Sequence, residues 1–346
     1  MEEAPGRVRP CVECYGVEIV QGILRCDACR VEFPIVDGVP RFNPDVEQDN
    51  PDFFRQYAQA FRYRRPADGD FQALHSETKR SFGFQWLRFR VTDHAENRAL
   101  FCRRTGTTPG SLGTQLFFEA GCGMGRYLQV IADEAPSEVV GLDLSLATNR
   151  AYEENRRNPF VHVVQGDILR LPLRPASFDH VYSIGVLHHT PDTERAFRSI
   201  VKLAKPGGSV SIWVYHVWRP PNLHGLKAVH ASLKGWIADT LRGITTRLPL
   251  SVLCYLCYVA APVGWLLRQI DRLPAPARLL FSPLLLIPCS VHPRWEVRVL
   301  DTFDWYSPRY QWKHTVAEAE SWFRDAGLEE ISTEGFPVTV RGRRPV

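Results

Sequence analysis

From residue 116 to residue 213, short apolar runs alternate with longer segments in which apolar positions recur every three or four residues. This alternation predicts strands connected by helices, the pattern of a wound α/β sheet. The predicted strands are QLFFEAG, SEVVGLDLS, FVHVVQGDI, FDHVYSIGVLHH and GSVSIWVYH. The predicted helices are GRYLQVIADEA, LATNRAYEENRRN and PDTERAFRSIVKLAKPGG. The Lys-Pro-Gly-Gly ending is expected to stop the last of these helices and to turn the chain.

The same pattern returns after residue 300. The segment HTVAEAESWFRDAGLEEI predicts a helix that begins with a capping box formed by Thr315 and Glu318 and ends at Gly327. LEEISTEG and VTVRGRR then predict two final strands. We therefore expect residues 111–218 and 299–346 to form one α/β domain.

Residues 219–298 separate these two parts with apolar sequence that carries ten lysines and arginines but three acids. Residues 248–267 contain no charged side chain, and twenty such residues are long enough to span a bilayer. Pro249, Pro262 and Gly264 interrupt this run and disfavour a span. We expect amphipathic helices that form a lid over a substrate pocket, and attachment to a membrane surface is the alternative.

The first 45 residues are short runs broken by glycine, proline and two Cys-x-x-Cys pairs. Cys11 with Cys14 and Cys26 with Cys29 can close a tetrahedral thiolate site around zinc, whereas a redox motif needs one pair. We therefore predict a zinc-binding domain over residues 1–45, in which the metal is structural. Residues 46–110 are rich in aromatic residues and arginine and are predicted to be mostly helical.

Three glycines at alternate positions, Gly121, Gly123 and Gly125, follow the first predicted strand. Glycine removes the β-carbon that would keep a ligand away from the backbone, and the start of the next helix presents free N–H groups. The spacing differs from the dinucleotide fingerprint Gly-x-Gly-x-x-Gly. Glu119 precedes the first glycine by two residues and favours a cationic ligand over a pyrophosphate.

Two more acids stand where the next two predicted strands end. Asp143, which Leu144 follows, is placed to accept both hydroxyls of a ribose. Asp167 is placed to accept the amino group of an adenine, while Ile168 packs near the ring. Because the carboxyl ends of parallel strands share one edge of a sheet, these acids and Glu119 are expected to surround one ligand.

The run from Leu116 to His216 resembles the class I S-adenosylmethionine-dependent methyltransferases, which have a Rossmann-like α/β sheet. It contains FFEAGCGMGRYL, VVGLDLS, VVQGDILRLPLRPASFDHVYSIGVLHH and LAKPGGSVSIWVYH in the order of that family. The resemblance implies methyl transfer to an oxygen, nitrogen or carbon atom of an acceptor. It also implies that S-adenosylmethionine is bound by Glu119, Gly121, Gly123, Gly125, Asp143, Leu144, Asp167, Ile168 and Ile184.

The cysteine-rich start resembles the zinc-ribbon domains that are fused to, or partnered with, some methyltransferases, including ones that act on ribosomal RNA and translation factors. That resemblance implies one structural zinc held by the four paired cysteines. KRSFGFQWLRF resembles the linking helix before the catalytic domain in such fusions. By this resemblance Phe82, Phe84 and Trp86 cover the cofactor, and packing between domains is the alternative.

An acceptor with a hydroxyl group or an acidic carbon must also lose a proton. The candidate bases lie after the fourth predicted strand and after the apolar segment, and they are His188, His189, His292, Asp301, Asp304, Tyr306 and His314. We name the four histidines as catalytic candidates, and a structural role for His188 or His189 stays open. The run DTFDWYSPRYQWKH is expected to line the acceptor pocket.

The composition and the N-terminal sequence indicate the class of protein and its location in the cell. The 346 residues carry a net charge of +4, and 45% of them are hydrophobic, which indicates a globular chain of about two domains. The N-terminus lacks the apolar core of a signal peptide, so we expect reduced cysteines and a cytoplasmic protein, with peripheral membrane contact as the alternative location.

The basic residues coincide with the most apolar segment, which fits a lipid-like substrate better than RNA. We therefore expect a bulky apolar or amphipathic small molecule, such as a natural product or a lipid-linked metabolite, and no nucleic-acid partner. Methylation of RNA or protein is the first alternative. A non-catalytic, partner-binding subunit is the second.

Overall fold

The structure is a computed structural model that describes residues 19–27, 30–57, 59, 69–90, 93–108, 110, 113–134, 137–217, 224–281, 283–334 and 338–346. Three of the four predicted zinc ligands, Cys11, Cys14 and Cys29, lie outside these ranges. Cys26 is the one that is described.

In chain order the elements are β1 (Gln21–Arg25), β2 (Glu32–Val36), β3 (Val39–Pro40), α1 (Val46–Asp49), α2 (Pro51–Gln56), α3 (Gly69–Arg88), α4 (His94–Thr105), β4 (Leu116–Ala120), α5 (Arg126–Glu134), β5 (Glu138–Asp143), α6 (Ala147–Asn155), β6 (Val161–Gln165), β7 (Phe178–Ile184), α7 (Thr193–Val201), β8 (Ala204–Trp213), α8 (Gly225–Thr245), α9 (Leu250–Asp271), α10 (Ala275–Leu280), α11 (Trp295–Tyr306), α12 (Val316–Asp325), β9 (Glu329–Glu334) and β10 (Thr339–Arg343). Short 3-10 helices lie at Ile168–Arg170, Leu187–His189 and Leu284–Leu286.

Seven strands form the central sheet in the order β6-β5-β4-β7-β8-β10-β9. The first five strands in this order are parallel, and β10 is antiparallel to both of its neighbours. The α/β fold with a mostly parallel, Rossmann-like sheet is therefore confirmed. The strands β9 and β10 come from the C-terminal residues, so chain segments on both sides of the apolar stretch contribute to one sheet.

The core lies on both faces of this sheet, because helices cover each face. Phe117 and Phe118 are adjacent on β4 and are both fully buried. Phe118 packs in a cluster with Val181 and Val210, whereas Phe117 packs in a second cluster with Ile131. Successive strand side chains point to opposite faces, so this apolar doublet is the mark of a strand that is buried on both sides.

Two predicted boundaries on this sheet are wrong. The helix α7 ends at Val201 rather than at the Lys-Pro-Gly-Gly sequence, which lies inside β8. The pairing of β7 with β8 shifts there, and Gly207 has a φ of 72°, so these residues form an irregular stretch of strand rather than a helix cap. The strand β7 stops at Ile184, because Gly185 has a φ of 78° and the next residues form a 3-10 helix.

The C-terminal helix begins as predicted. The Thr315 hydroxyl accepts a hydrogen bond from the Glu318 N–H, and the Glu318 carboxylate accepts one from the Thr315 N–H. This capping box satisfies two donors at the helix start, which would otherwise lack partners. After α12, Gly327 has a φ of 71° and leads the chain into β9.

The strands β1, β2 and β3 form a small antiparallel sheet at the β6 edge of the central sheet. The fully buried Arg41 connects the two sheets. Its guanidinium donates to Gln165 Oε1 at 2.9 Å and to Asn149 Oδ1 at 2.8 Å. Burial lowers the Arg41 pKa to about 10, and the nearby carboxylates of Asp49 and Asp37 oppose that shift.

Two ion pairs of Lys79 fix α3 over the carboxyl edge of the sheet. Lys79 Nζ on α3 lies 2.7 Å from Asp45 Oδ2, and its contact with Asp49 joins the same helix to α1. All three side chains are largely buried, so the pairing is screened little by solvent. The aromatic face of α3 is thereby held against the ends of the strands.

The apolar segment between β8 and β10 is mostly helical in its described part, residues 224–281 and 283–298. The helix α9 packs along α11, where Leu253, Cys254 and Cys257 meet Val299 and Phe303. This contact places α11 beside α3, since Phe84 stacks on Phe303 with ring centroids 5.5 Å apart. Within the described residues, one helix, Leu250–Asp271, has the length and apolar composition that could cross a membrane.

Candidate active site

A cavity opens at the carboxyl ends of the parallel strands, between the sheet, α3 and α11. Its walls are His75, Thr78, Lys79, Phe82, Gln85, Trp86, Glu119, Gly121, Cys122, Gly123, Met124, Arg126, Tyr127, Asp143, Leu144, Ser145, Asp167, Ile168, Ile184, Gly185, Val186, His189, Thr190, Trp213, Tyr215, Leu300, Asp301 and Asp304.

The glycine loop after β4 forms the floor of this cavity. Gly121 has a φ of 84°, and a β-carbon at that position would lie 2.3 Å from Val186 Cγ1. A β-carbon on Gly123 would lie 3.1 Å from the Trp86 indole nitrogen. The loop therefore needs glycine both for its backbone conformation and for the close approach of Val186 and Trp86.

Asp143 at the end of β5 organises this loop. Its Oδ2 accepts a hydrogen bond from the Gly123 N–H at 2.9 Å, and its Oδ1 accepts from the Ser145 N–H at 2.8 Å and from the Ser145 hydroxyl at 2.7 Å. Burial raises the Asp143 pKa, and these hydrogen bonds oppose the shift. A carboxylate offers about four acceptor positions, so roughly one remains for a ligand hydroxyl.

Asp167 after β6 keeps one oxygen for a ligand. Its Oδ1 accepts a hydrogen bond from the Leu169 N–H at 2.9 Å. Its Oδ2 is buried and has no hydrogen-bond partner among the described residues, and the nearest cationic candidate, His75 Nε2, is 3.6 Å away. A buried acceptor without a donor is costly, so a ligand N–H group at this place would remove a penalty.

Glu119 on β4 is almost fully buried and accepts a hydrogen bond from the Tyr182 hydroxyl at 3.2 Å. Burial raises its pKa to about 8, which the Tyr182 hydrogen bond and the more distant Arg126 charge only partly counteract. The carboxylate form therefore lacks enough compensating positive charge in the protein alone. A cationic ligand in the cavity would favour ionised Glu119.

The opposite end of the cavity contains a second polar group. The Tyr215 hydroxyl donates a short hydrogen bond to Asp304 Oδ2, and Gln85 Nε2 donates to Asp304 Oδ1 at 3.0 Å. Asp301, one turn earlier on α11, has its pKa raised by burial to about 6. These residues come from the segment after β8, from α3 and from α11, which are far apart in the sequence.

His189 lies at the same end, with its ring centroid 5.5 Å from that of Tyr215, and its tautomer follows from its contacts. Its Nδ1 is 2.8 Å from the carbonyl oxygen of Tyr310, which can only accept, so Nδ1 carries the proton. Nε2 is then a lone-pair acceptor, and it is buried without a hydrogen-bond partner among the described residues. Burial lowers the His189 pKa, which keeps the ring neutral and able to accept a proton near neutral pH.

The cavity brings most of the predicted cofactor residues together. Glu119, Gly121, Gly123, Asp143, Leu144, Asp167, Ile168, Ile184 and Trp86 all line it. Gly125 does not: it lies behind the loop, where a β-carbon would meet Asn155 on α6 at 2.8 Å. Of the three aromatic residues expected to cover the cofactor, Phe82 and Trp86 line the cavity, whereas Phe84 packs on Phe303.

The four histidines named as catalytic candidates are dispersed. His189 lines the cavity, whereas His188 is fully buried behind it, with its ring 4.0 Å from that of Tyr215. His314 contacts Glu318 at 2.9 Å and Thr193 at 3.1 Å on the far side of the 3-10 helix. His292 is 3.8 Å from Glu96 on α4, away from the cavity.

Sequence reasoning missed several polar residues of this wall, among them His75, Gln85 and Tyr215. Tyr215 lies two residues beyond β8, and Gln85 precedes Trp86 on α3. Nothing in their local sequence distinguishes them from ordinary strand and helix residues. The position of Gln85 beside the predicted covering residue Trp86 was the one available signal.

Comparison with known proteins agrees with this geometry. Residues 118–212 match the family model described as "Methyltransferase domain". The "24-methylenesterol C-methyltransferase 2" of Oryza sativa subsp. japonica is 29% identical over 170 residues, which are 46% of this chain and 44% of that protein. "Phosphoethanolamine N-methyltransferase 2" of Caenorhabditis elegans is 35% identical over 125 residues, 35% of this chain and 27% of that protein.

A third relative, "Probable tRNA methyltransferase 9B" of Mus musculus, is 36% identical over 115 residues, 31% of this chain and 22% of that protein. The chain thus spans less than half the length of each of these three relatives, and their names give three different classes of acceptor. The family match covers the part of this chain that carries the glycine loop and the acids at the strand ends. Residues 118–212 of this chain therefore form a methyltransferase domain.

Proposed function

We propose that this chain is an S-adenosylmethionine-dependent methyltransferase that acts on a bulky, apolar or amphipathic small molecule. The observation that carries the proposal is one cavity that joins the glycine loop and its acids to a second polar wall around Asp304. The first end fits the methyl donor, and the second end offers a place for the acceptor.

The residues at the first end fit S-adenosylmethionine. The unpartnered Asp167 Oδ2 suits the exocyclic amine of an adenine, and the apolar Ile168 side chain lies on the same wall. Ionised Glu119 would be stabilised by the positive charges of the donor. The bound donor supplies an electrophilic methyl group on a sulfonium. The protein's contribution is to hold the donor, to exclude water and to orient the acceptor.

At the second end, the proposal gives His189 and Asp304 different tasks. The Nε2 atom of neutral His189 takes a proton from an acceptor hydroxyl group as the acceptor reacts, or from the ammonium group that a neutral amine acceptor becomes on methylation. Asp304, held by Tyr215 and Gln85, stabilises the positive charge that His189 then carries, because the two groups interact electrostatically. Phe82 packs at 5.0 Å from the His189 ring and keeps this base shielded from bulk water.

The apolar character of the acceptor is inferred from the segment that carries α11. Leu300 and the α9–α11 contact give this end of the cavity an apolar surround, and the strongest basic excess of the sequence lies in the same apolar segment. None of the described residues between 224 and 298 lines the cavity, so the predicted lid stays a prediction. The tRNA relative keeps RNA as the alternative acceptor, and a non-catalytic subunit is the second alternative.

The test uses S-adenosylmethionine with a labelled methyl group and three extracts of the source cells: lipids, RNA and protein. We expect label in the organic-soluble fraction with the unmodified chain and its loss with His189→Gln, which keeps donor binding intact. Label in RNA or protein would contradict the proposed acceptor class. Tight donor binding with no label in any fraction would contradict catalysis and favour the non-catalytic subunit.

We also propose a structural zinc at the N-terminus, bound by Cys11, Cys14, Cys26 and Cys29. Two Cys-x-x-Cys pairs support it, together with the turn at Cys26, whose carbonyl accepts from the Arg30 N–H at 2.8 Å and whose N–H donates to Val31 at 2.9 Å. We expect one zinc per chain by elemental analysis, and less in Cys26→Ser. Folded, fully stable protein without zinc would contradict this proposal.

A further inference from the structure

The helix α9 exposes an apolar face along its whole length. One face is buried against α11 and its neighbours through Leu253, Cys254, Cys257 and Ala261. The outer face carries no charged residue between residues 250 and 267. It presents Val252, Tyr255, Leu256, Tyr258, Val259, Trp265 and Leu266 to solvent. Tyr255 is 69% exposed and Trp265 is 53% exposed, so these large rings are not partly hidden core residues.

The helix α8 repeats this arrangement. Its buried positions are the small residues Ala228, Gly235 and Ala238, whereas its large apolar residues face outward. Leu226, Val229, Leu233 and Trp236 recur every three or four positions, and Leu241 and Ile244 follow them. Leu226 is 88% exposed and Trp236 is 66% exposed. A helix on the surface of a soluble protein has the opposite pattern, with its polar face toward water.

Cations surround these apolar faces. Residues 224–298 contain nine lysines and arginines and three acids, a net charge of +6. Three exposed cations lie at the ends of the helices: Lys227 in the first turn of α8, Arg247 between α8 and α9, and Arg272 after α9. The apolar faces with tryptophan and tyrosine side chains and a basic rim match an interfacial helix on an anionic membrane.

We propose that the outer faces of α8 and α9, which we call the apolar face pair, dock onto an anionic lipid bilayer. Exposed apolar surface of this extent marks an interaction site. A second copy of the chain fits less well, because a symmetric dimer would bring two surfaces of net charge +6 together. A bilayer with anionic headgroups complements the same charge.

The contacts of the inner face argue for docking on the surface rather than spanning. Arg298 Nη1 donates to the Ala261 carbonyl oxygen at 2.9 Å and fixes α9 to α11. A β-carbon on Gly264 would lie 2.1 Å from the Ser290 carbonyl oxygen, so the backbone of α9 is in close contact with the protein there. A spanning α9 would have to lose these contacts, whereas docking keeps them.

Docking would also place the cavity close to the bilayer. α9 packs directly on α11, and α11 contributes Leu300, Asp301 and Asp304 to the cavity wall. One layer of helix therefore separates the apolar face pair from the acceptor end. The docking itself does not depend on methyl transfer, and it can be measured with the purified chain alone.

The test is flotation of the full chain with vesicles of phosphatidylcholine, with and without phosphatidylglycerol, at low and high salt. We expect binding to the anionic vesicles that salt weakens. Val259→Ser combined with Trp265→Ser should abolish it, whereas the matched control, Ile23→Ser combined with Phe160→Ser, removes exposed apolar residues outside the face pair and should bind normally.

Charge substitutions test whether membrane binding depends on the cations at the helix ends or on the net charge of the whole chain. Lys227→Gln, Arg247→Gln and Arg272→Gln together should weaken anionic binding by about 10- to 100-fold. Arg156→Gln, Arg157→Gln and Lys202→Gln remove the same charge from exposed positions elsewhere and should change it much less. Circular dichroism and thermal unfolding verify that each variant is folded.

Four results would overturn the proposal. The first is no flotation of the unmodified chain with anionic vesicles, and the second is equal flotation of the face-pair variant and its control. The third is a dimer in light scattering that the face-pair substitutions dissociate, because it would show that a second copy covers the surface. Resistance of the bound protein to alkaline carbonate would also contradict docking on the surface, since it indicates a span.

Discussion

The two ends of the cavity are built in different ways. The donor end is made of three strand ends, each of which carries its own acid: Glu119 near the end of β4, Asp143 at the end of β5 and Asp167 after β6. The acceptor end is made of Gln85, Tyr215 and Asp304, which meet only because three distant elements pack together. The residues of the donor end can therefore be recognised from short sequence motifs, whereas the residues of the acceptor end come together only in the folded chain.

This difference predicts how each end responds to change. A substitution at the donor end should alter donor affinity or the local loop, since each residue is fixed by its own strand. A substitution at the acceptor end should alter turnover with little effect on donor binding. The following four experiments test that separation, from the largest expected effect to the smallest.

The largest effect is expected for His189→Gln. The glutamine side chain keeps a polar group in the space but cannot accept a proton, so kcat should fall by about 100- to 10,000-fold. The dissociation constant of the donor, measured by calorimetry, should change less than about threefold, because the donor contacts lie at the other end. Equal losses in donor affinity and turnover would show that the two ends are not separable.

Gly121→Ala tests the donor loop itself. The φ of 84° strains an alanine, and its β-carbon would lie 2.3 Å from Val186, so the free energy of unfolding should fall by about 3 kcal/mol. Gly113→Ala is the control, since a β-carbon there meets no atom within 4 Å. Combining Gly121→Ala with Val186→Ala should recover only part of the steric loss in denaturant titrations, because the Val186 β-carbon would still lie 2.8 Å away, and it should not recover the backbone strain.

These two sites also show what sequence could and could not predict. The glycine loop, the strand ends and the capping box at Thr315 depend on neighbours within a few residues, and the sequence pattern located them. The prediction for the Lys-Pro-Gly-Gly segment was wrong because glycine and proline are found both at helix ends and in irregular strands. Only the pairing of β7 with β8 decides between these two structures. The local residues therefore predicted an irregular backbone at this segment, whereas the strand pairing of the sheet determined that it is part of a strand and not the end of a helix.

The acceptor end could not be predicted for a related reason. Tyr215 and Asp304 are 89 positions apart, and they meet only where α11 packs beside the residues that follow β8. The sequence did predict that the run containing Asp304 lines a pocket, but it could not select among seven candidate bases. That choice required knowing that His189 faces the cavity, while His188 is buried behind it and His292 contacts α4.

A smaller effect is expected for Asp167→Ser. Serine still accepts from the Leu169 N–H, so the local turn is kept, but the unpartnered second oxygen is lost. Donor affinity should fall by about 10- to 100-fold if that oxygen accepts the adenine amine. The inosine analogue of S-adenosylhomocysteine, which lacks the amine, should bind the variant and the unmodified chain equally well. A loss that is the same for both ligands would assign Asp167 to the loop alone.

The smallest effect is a pH dependence at Glu119. Since burial raises its pKa to about 8, it is mostly protonated at pH 7 in the empty cavity, and a cationic donor must favour the ionised form. Donor affinity should then rise about fivefold between pH 7 and pH 8. The groups near it that also carry charge are Arg126 and Asp143, and the donor's own amine titrates in the same range. Glu119→Gln keeps those groups and removes the carboxylate.

The raised pKa of Glu119 also predicts how the stability of the protein without ligand changes with pH. The folded-state pKa lies above the unfolded value of 4.5, so the favourable contribution is complete below that value and is lost as pH rises toward about 8. The empty protein should therefore lose more stability than Glu119→Gln over this window, in thermal unfolding at matched ionic strength. Bound donor should reduce that difference, because it stabilises the ionised carboxylate. Parallel pH profiles for both proteins would mean that Glu119 is already ionised, and that its charge is balanced without a ligand.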